Sequence, residues 1–363
     1  MKAYIKLYIL CFIIFFGLIT LPTINIISKN LNPLKHEDFR KLYNIDVISI
    51  FFQKQLFPLR ISLNPREVYI GKENWIFLGN DEGSVLKKNN PSKYLNESVI
   101  LSNYNRIISF NELLKLNGTK DFKILIAPEK ASTYPEFLPD WSLVNHDISK
   151  IEILLNLDKY NNLLYYPINA LGESKLKYKH NLYYKSDSHW NKLGGYIAFK
   201  NYLEEINKSS FFNINNSDIN NFNIINNKSS FSGDLLRMLK LDNLFKENDP
   251  EIEMLNLSKF VKKDFRTNLT IESKINAINK LPVVYSNENA KNNLKTVFLS
   301  DSFGNYILEY LIAEFSSTLV LHYRELKEEE LRNILKKFSP DLVLMTVAER
   351  YIDSKSLFED FVF

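Results

Sequence analysis

Two short stretches of this 363-residue chain hold residues whose types and spacing could do chemistry. The first is KSDSHWN, Lys185 to Asn191, in which Asp187 and His189 stand two apart. In an extended segment, residues i and i+2 leave the same face, so a carboxylate and an imidazole can meet there. Such a pair is the orienting pair of a nucleophilic hydrolase or half of a metal site. The second is FLSDSFGN, Phe298 to Asn305, where an apolar run passes into Asp301-Ser302 and a helical pattern follows. A serine at a strand-to-helix turn stands at the carboxyl edge of a parallel sheet, where α/β proteins build their sites. The helix start directs free backbone N–H groups to the same spot, which suits an oxyanion. Taken singly, each stretch has a plainer reading: Asp and Ser are common helix caps, and an isolated D-x-H is often a surface pair.

Together they carry more. A serine hydroxyl is a poor nucleophile until an imidazole accepts its proton, and the imidazole needs a carboxylate to fix its tautomer. Ser302, His189 and Asp187 form that set. A metal site would call for further ligands at short spacing. Of the five histidines, His36, His146, His180, His189 and His322, only His180 is near the motif, so metal is the weaker reading. No phosphate-cradling Gly-rich loop is visible, and no cofactor is expected.

The surrounding pattern supplies elements to position these groups. FKILIAP (Phe122 to Pro128) and LLYYPI (Leu163 to Ile168) read as buried strands. So do TVFLS (Thr296 to Ser300), STLVLHY (Ser317 to Tyr323) and DLVLMTV (Asp341 to Val347). Helical patterns lie at Tyr104 to Leu116, Ile148 to Asn156, from Asn191 onward, Asn305 to Phe315 and Glu328 to Phe338. The alternation predicts an α/β fold with a mostly parallel central sheet. REVYIGKENWIFLGN, Arg66 to Asn80, predicts a hairpin. Residues from about 209 to 293 are rich in Asn, Ser and Lys with weak periodicity and read as an insertion, GDLLRML (Gly233 to Leu239) being its best helix start.

From Leu7 to Ser28, 22 residues carry no charge, enough to cross a hydrocarbon core of roughly 30 Å. Lys2 and Lys6 precede this segment and no A-x-A-like cleavage pattern follows it. An uncleaved single-pass anchor, with the rest exported, is the expectation. The only cysteine, Cys11, lies inside the segment, so no disulfide is expected beyond it. With 46 basic and 42 acidic residues the charge is nearly balanced, and nothing points to nucleic acid. The expected organisation is an anchor at 1–29, a lead-in at 30–65 and a catalytic domain at 66–363.

The pairing of D-x-H-W-N with a later D-S-F-G resembles the SGNH-like alginate O-acetyltransferase family (AlgX/AlgJ and DHHW-type proteins). VYIGKENWIFL resembles that family's opening Gly-Lys-x-Gly-Trp-Leu-Phe hairpin, and APEKASTYPEFLP, Ala127 to Pro139, its Pro-x-Lys…Tyr-Pro-Glu segment. GDLLRML and the terminal PDLVLMTVAERYI fit as well. Ser188 stands where one branch has His, Ser300 where Gly is usual, and Asn74 in place of the hairpin's glycine. The resemblance implies an SGNH-hydrolase-like three-layer fold, Ser302 as nucleophile, His189 as general base and Asp187 as orienting acid. It also implies Lys130, Tyr134, Trp190 and Arg324 as substrate-binding candidates. A packed loop is the structural alternative for Lys130 and Tyr134 and core for Trp190, while Arg324 lies at a predicted strand end. The implied function is extracytoplasmic O-acetylation of a polysaccharide acceptor, with a multipass membrane O-acyltransferase as the acyl-donor partner. A polysaccharide acetyl-esterase with the same triad and a non-catalytic glycan-binding subunit are the alternatives.

Overall fold

The computed structural model describes residues 2–354 except 34, 40, 80–96, 143–148, 210–211, 215–222, 243, 254–259, 272–273, 276 and 279–280. His146 lies outside the described residues.

The chain opens with one long helix, α1 (Lys2–Lys29), long and apolar enough to cross a membrane, as an anchor or a signal sequence would. From Ile5 to Ile19 its described side chains are exposed, whereas Thr20, Leu21, Pro22, Ile24 and Ile26 are half-covered and Asn25 is buried. The cover is the chain folding back through α2 (His36–Phe39) and α3 (Asp46–Leu56). Asn25 Nδ2 donates to the carbonyls of Leu42 and Asn44, both at 2.7 Å.

β1 (Val68–Ile70) and β2 (Ile76–Leu78) then form the antiparallel hairpin expected from the sequence. Its turn is a 3₁₀ segment with Glu73 and Asn74 at positive φ. Asn tolerates the left-handed region better than most side chains, which is how Asn74 stands in for a glycine. After α4 (Glu97–Leu116), β3 (Asp121–Ala127), α5 (Lys130–Thr133), α6 (Lys150–Asp158), β4 (Leu164–Tyr165), α7 (Ile168–Lys177) and α8 (Lys192–Ser209) follow in turn. Helix α6 is started by a capping box, Ser149 with Glu152, which satisfies two end donors. Next come β5 (Ile224–Phe231), α9 (Asp234–Met238), β6 (Glu247–Ile252), β7 (Phe260–Asp264), β8 (Thr270–Ile271) and β9 (Val283–Asn287). The chain ends with β10 (Asn292–Ser300), α10 (Leu308–Glu314), β11 (Phe315–His322), α11 (Glu328–Phe338) and β12 (Leu342–Ala348).

The central sheet runs β4-β3-β12-β10-β11-β9-β7-β8, its first five strands parallel and the last three antiparallel. Side chains alternate across it, so each strand feeds two cores. Val297 and Leu299 join Ile124, Met345 and Leu321 under α4, α6 and α11. Phe298 joins Leu125, Leu344 and Val320 under the hairpin and α8. Helix α11 buries Leu331, Ile334, Leu335 and Phe338, the i, i+3, i+4, i+7 stripe of an amphipathic helix.

One expectation is corrected here. The stretch 209–293 is not wholly an insertion, because β7, β8 and β9 within it extend the main sheet through β9's pairing with β11. Strand β4 is also shorter than LLYYPI predicts, covering only Leu164–Tyr165.

Candidate active site

Strand β10 ends at Ser300, whose neighbours in register are His322 on β11 and Thr346 on β12. The next two residues, Asp301 and Ser302, therefore stand at the carboxyl edge between two parallel strands. Asp301 caps the 3₁₀ turn Ser302–Tyr306: its Oδ1 accepts from Phe303 N at 3.0 Å and its Oδ2 from Ala348 N at 2.7 Å. Burial pushes the Asp301 carboxyl up, against those two N–H groups and the Arg350 charge. Ser300 is fully buried and donates to Asp301 O at 3.0 Å. A Cβ on Gly304 would collide with the Ser300 side chain, so this turn pairs its serine with a glycine four residues on.

The acid–base half comes from a loop closed by an antiparallel bridge between Tyr183 and Trp190. His189 Nδ1 lies 2.6 Å from Asp187 Oδ1, and His189 Nε2 lies 2.7 Å from Ser302 Oγ. The three residues picked from the sequence thus form one continuous hydrogen-bonded chain across 113 residues of separation. With Asp187 ionised, Nδ1 carries the proton and Nε2 is the acceptor facing the serine hydroxyl. Burial works to raise the Asp187 carboxyl. The His189 contact and the backbone N–H groups of Asp234 (2.9 Å) and His189 (3.0 Å) outweigh it, holding the carboxyl down at about 2. The imidazole lies between Phe303 and Tyr306, with ring centroids 4.7 Å and 5.7 Å away.

Three of the expected substrate-binding residues do other work. Lys130 is buried and its ammonium donates to the carbonyls of Tyr184 (3.0 Å), Lys185 (3.0 Å) and Asp187 (2.5 Å). All three of its N–H bonds grip the loop that carries Asp187, and burial lowers its pKa to about 8 against the pull of Glu247 and Asp187. Tyr134 is buried against Trp75 with its hydroxyl accepting from Leu182 N at 2.8 Å, and burial pushes it up to about 12. Trp190 is fully buried and donates from Nε1 to Phe303 O at 3.1 Å, tying the His189 loop to the Ser302 turn. Arg324 follows β11 at the sheet edge, its guanidinium 4.3 Å from the Tyr351 ring centroid and near Tyr323. Glu349 and Arg350, adjacent beyond the end of β12, each bind groups from distant parts of the chain. Arg350 pairs with Glu129 at 2.8 Å, while Glu349 Oε2 accepts from Glu129 N, Ser132 Oγ and Tyr166 OH.

Asp234 was not singled out from the sequence, although GDLLRML was. It opens α9, accepts from Ser188 N (2.8 Å) and Ser188 Oγ (2.6 Å), and lies 3.8 Å from His189 Nδ1. Gly233 makes this approach possible, since a Cβ there would meet the Ser186 carbonyl. Asp187, His189 and Asp234 have the donor types of a metal site and lie within 4.8 Å of one another. Their atoms are already committed, however. Nδ1 faces Asp187, and the carboxylates accept from Ser188, His189 and Asp234 itself. A polar cavity of about 210 Å³ adjoins the loop, bounded by Lys179, His180, Tyr184, Asn191 and Glu247.

Comparison with known proteins bears on the fold and the family. The profile of the SGNH hydrolase-like domain of the acetyltransferase AlgX matches residues 68–270, more than half of the chain. Among solved structures, Bacillus cereus PatB1 carrying a sulfonyl adduct superposes with a TM-score of 0.58 at 16% identity, covering 80% of this chain and 96% of PatB1. A DHHW family protein from Eubacterium siraeum gives a TM-score of 0.53 at 16% identity, covering 72% and 89%. No curated protein sequence matches.

Proposed function

This chain belongs to the SGNH hydrolase-like acetyltransferase family of AlgX, and from that membership we propose that it is a membrane-anchored, extracytoplasmic O-acetyltransferase acting on a polysaccharide through an acetyl-serine enzyme. The observation that carries the reading is the Ser302–His189–Asp187 chain, with links of 2.7 and 2.6 Å, at the carboxyl edge of the sheet. Ser302 Oγ attacks the acetyl carbonyl while His189 Nε2 takes its proton. The leaving group departs with that proton, and acetyl-Ser302 remains. A sugar hydroxyl then attacks the ester, giving its proton to His189, which returns it to Ser302 as the acetylated sugar leaves. Asp187 keeps the imidazole in the required tautomer and balances its charge. A multipass membrane O-acyltransferase is the donor partner proposed from the resemblance, since acetyl donors are made on the other side of the membrane.

The test uses the full chain in detergent with an activated acetyl ester, and a sulfonyl fluoride as a second serine probe. Intact and peptide mass should show an acetyl adduct on Ser302 that Ser302→Ala and His189→Ala both lose. Transfer to added glycans supports the acetyltransferase, and release to water alone supports the esterase. No adduct from either probe, in folded protein, would move the chain to a glycan-binding subunit.

A further inference from the structure

The segment that follows α1 bears apolar side chains that stand exposed. Ile45, Phe51, Phe52, Leu59, Ile61 and Leu63 are between 48% and 67% exposed. They are not on a loose tail. Gln53 is buried and bonds Ile61 O (2.9 Å) and Leu63 N (2.8 Å), folding the chain after α3 back against it. Phe57 is buried against Phe245, with ring centroids 5.9 Å apart. Asp46, at the first turn of α3, pairs with Lys29 at the end of α1 and with Lys240 just beyond α9. The apolar surface is therefore a fixed shelf between the membrane-length helix and the domain that holds the site.

Its level along α1 follows from helix geometry. The uncharged stretch Leu7 to Ser28 is about 33 Å long, close to one hydrocarbon core. The part of α1 covered by the fold-back, Thr20 to Ile26, lies in the last turns of that stretch, toward its domain-side end. Tyr43 reaches back along α1 to Leu18 O at 3.5 Å. Between Lys29 and Arg66 the sequence has seven basic residues and three acidic, and Lys54 and Arg60 are exposed among the apolar side chains. Apolar groups continuous with a membrane span and flanked by cations have the composition of a surface that lies in the headgroup boundary.

We infer that α3 and residues 57–63 form a membrane-seated collar, with Phe51, Phe52 and Leu59 inserted into an anionic leaflet on the side of the catalytic domain. The inference rests on α1 spanning the bilayer, as proposed above. Because Asp46 also holds Lys240, the collar fixes the carboxyl edge of the sheet relative to the lipid surface.

The experiment uses the full chain with Cys11→Ser, carrying one added cysteine at a time: Phe15→Cys, Phe52→Cys, Leu59→Cys or Leu116→Cys. Each is labelled with an environment-sensitive fluorophore and reconstituted in phosphatidylcholine–phosphatidylglycerol vesicles. Nitroxide lipids labelled near the headgroup or at the acyl end then act as quenchers. At Phe15 the deep nitroxide should quench most. At Phe52 and Leu59 the shallow one should quench at least about threefold more than the deep one, and Leu116 should respond to neither. Quenching at Phe15 with none at Phe52 or Leu59 overturns the collar and leaves the anchor standing. Cysteine cross-linking at Phe52 in place of quenching assigns the face to a second copy and also overturns it. No quenching at any of the four positions removes the anchor and the collar together.

Discussion

The two halves of the site are built by different means. The Ser302 turn grows directly out of β10 between two parallel neighbours, and its cap Asp301 bonds the end of β12. The His189 loop has almost no regular structure. It is held by groups from elsewhere in sequence: Lys130 on three carbonyls, Trp190 on the Ser302 turn, and α9 on Asp187 and Ser186. Damage behind the nucleophile should therefore appear as lost stability, because the sheet edge and the core are one structure. Damage behind the histidine should appear as lost rate, because the loop can shift while the domain stays folded.

The largest effect tests the premise rather than the difference. His189→Ala should lower acylation by about 10⁴-fold while the domain stays folded, as expected for loss of a triad base; a drop below tenfold would remove His189 from the chemistry. Next, Arg350→Met leaves the buried Glu129 carboxylate without its partner. It should cost about 3–5 kcal/mol in denaturant unfolding while acylation per folded molecule stays within about tenfold. The opposite pattern would erase the distinction between the halves. Lys130→Met should do the reverse, lowering acylation about 100-fold as Asp187 loses its aim, with circular dichroism retained.

Lys130 also gives the comparison a pH axis. Its folded pKa of about 8 lies below the ordinary lysine value near 10.4. Between those two values the unfolded chain holds a proton that the folded one has released, so stability relative to Lys130→Met rises with pH across that window. Acylation should fall there instead, because a neutral amine has two N–H bonds for three carbonyls. Parallel urea titrations and acylation rates from pH 7 to 10 check the divergence. The smallest effect is expected from Asp234→Asn, about tenfold or less, since Asp187 remains the direct partner of His189. Asp187 adds a separate acid limit: held at about 2, it contributes stability that is complete above the ordinary carboxyl value and is lost as pH falls from there through about 2.

The same contrast explains what the sequence revealed. TVFLS running into Asp301-Ser302 announces a buried strand and a turn, and α11 carries its stripe and its terminal charges in plain view. Lys130 looked like a ligand because a lysine beyond a strand end normally reaches solvent. Its three acceptors sit more than fifty residues away, where no local pattern can reveal them. Strands β7 to β9 were hidden for another reason. Lying at the antiparallel margin, they carry Lys262, Lys263 and Ser286 among apolar residues, so the continuous run of a doubly buried strand never forms. Asp234 was legible only as a cap, which it also is; its closeness to His189 depends on Gly233 admitting the Ser186 backbone.

That last contact has a consequence for the chain as a polymer. Ser186 accepts from Gly233, Leu235 and Leu236, so the path from Asp187 to Ser232 leaves the site and returns to the residue beside which it left. Everything between is a closed excursion whose ends are fixed by bonds independent of its contour. For such a loop each doubling of length costs only about 0.6 kcal/mol of closure entropy. The connection between α8 and β5 can therefore lengthen or shorten between relatives at little cost, without moving Asp187 or Asp234. The site keeps its geometry while the length between those two elements changes.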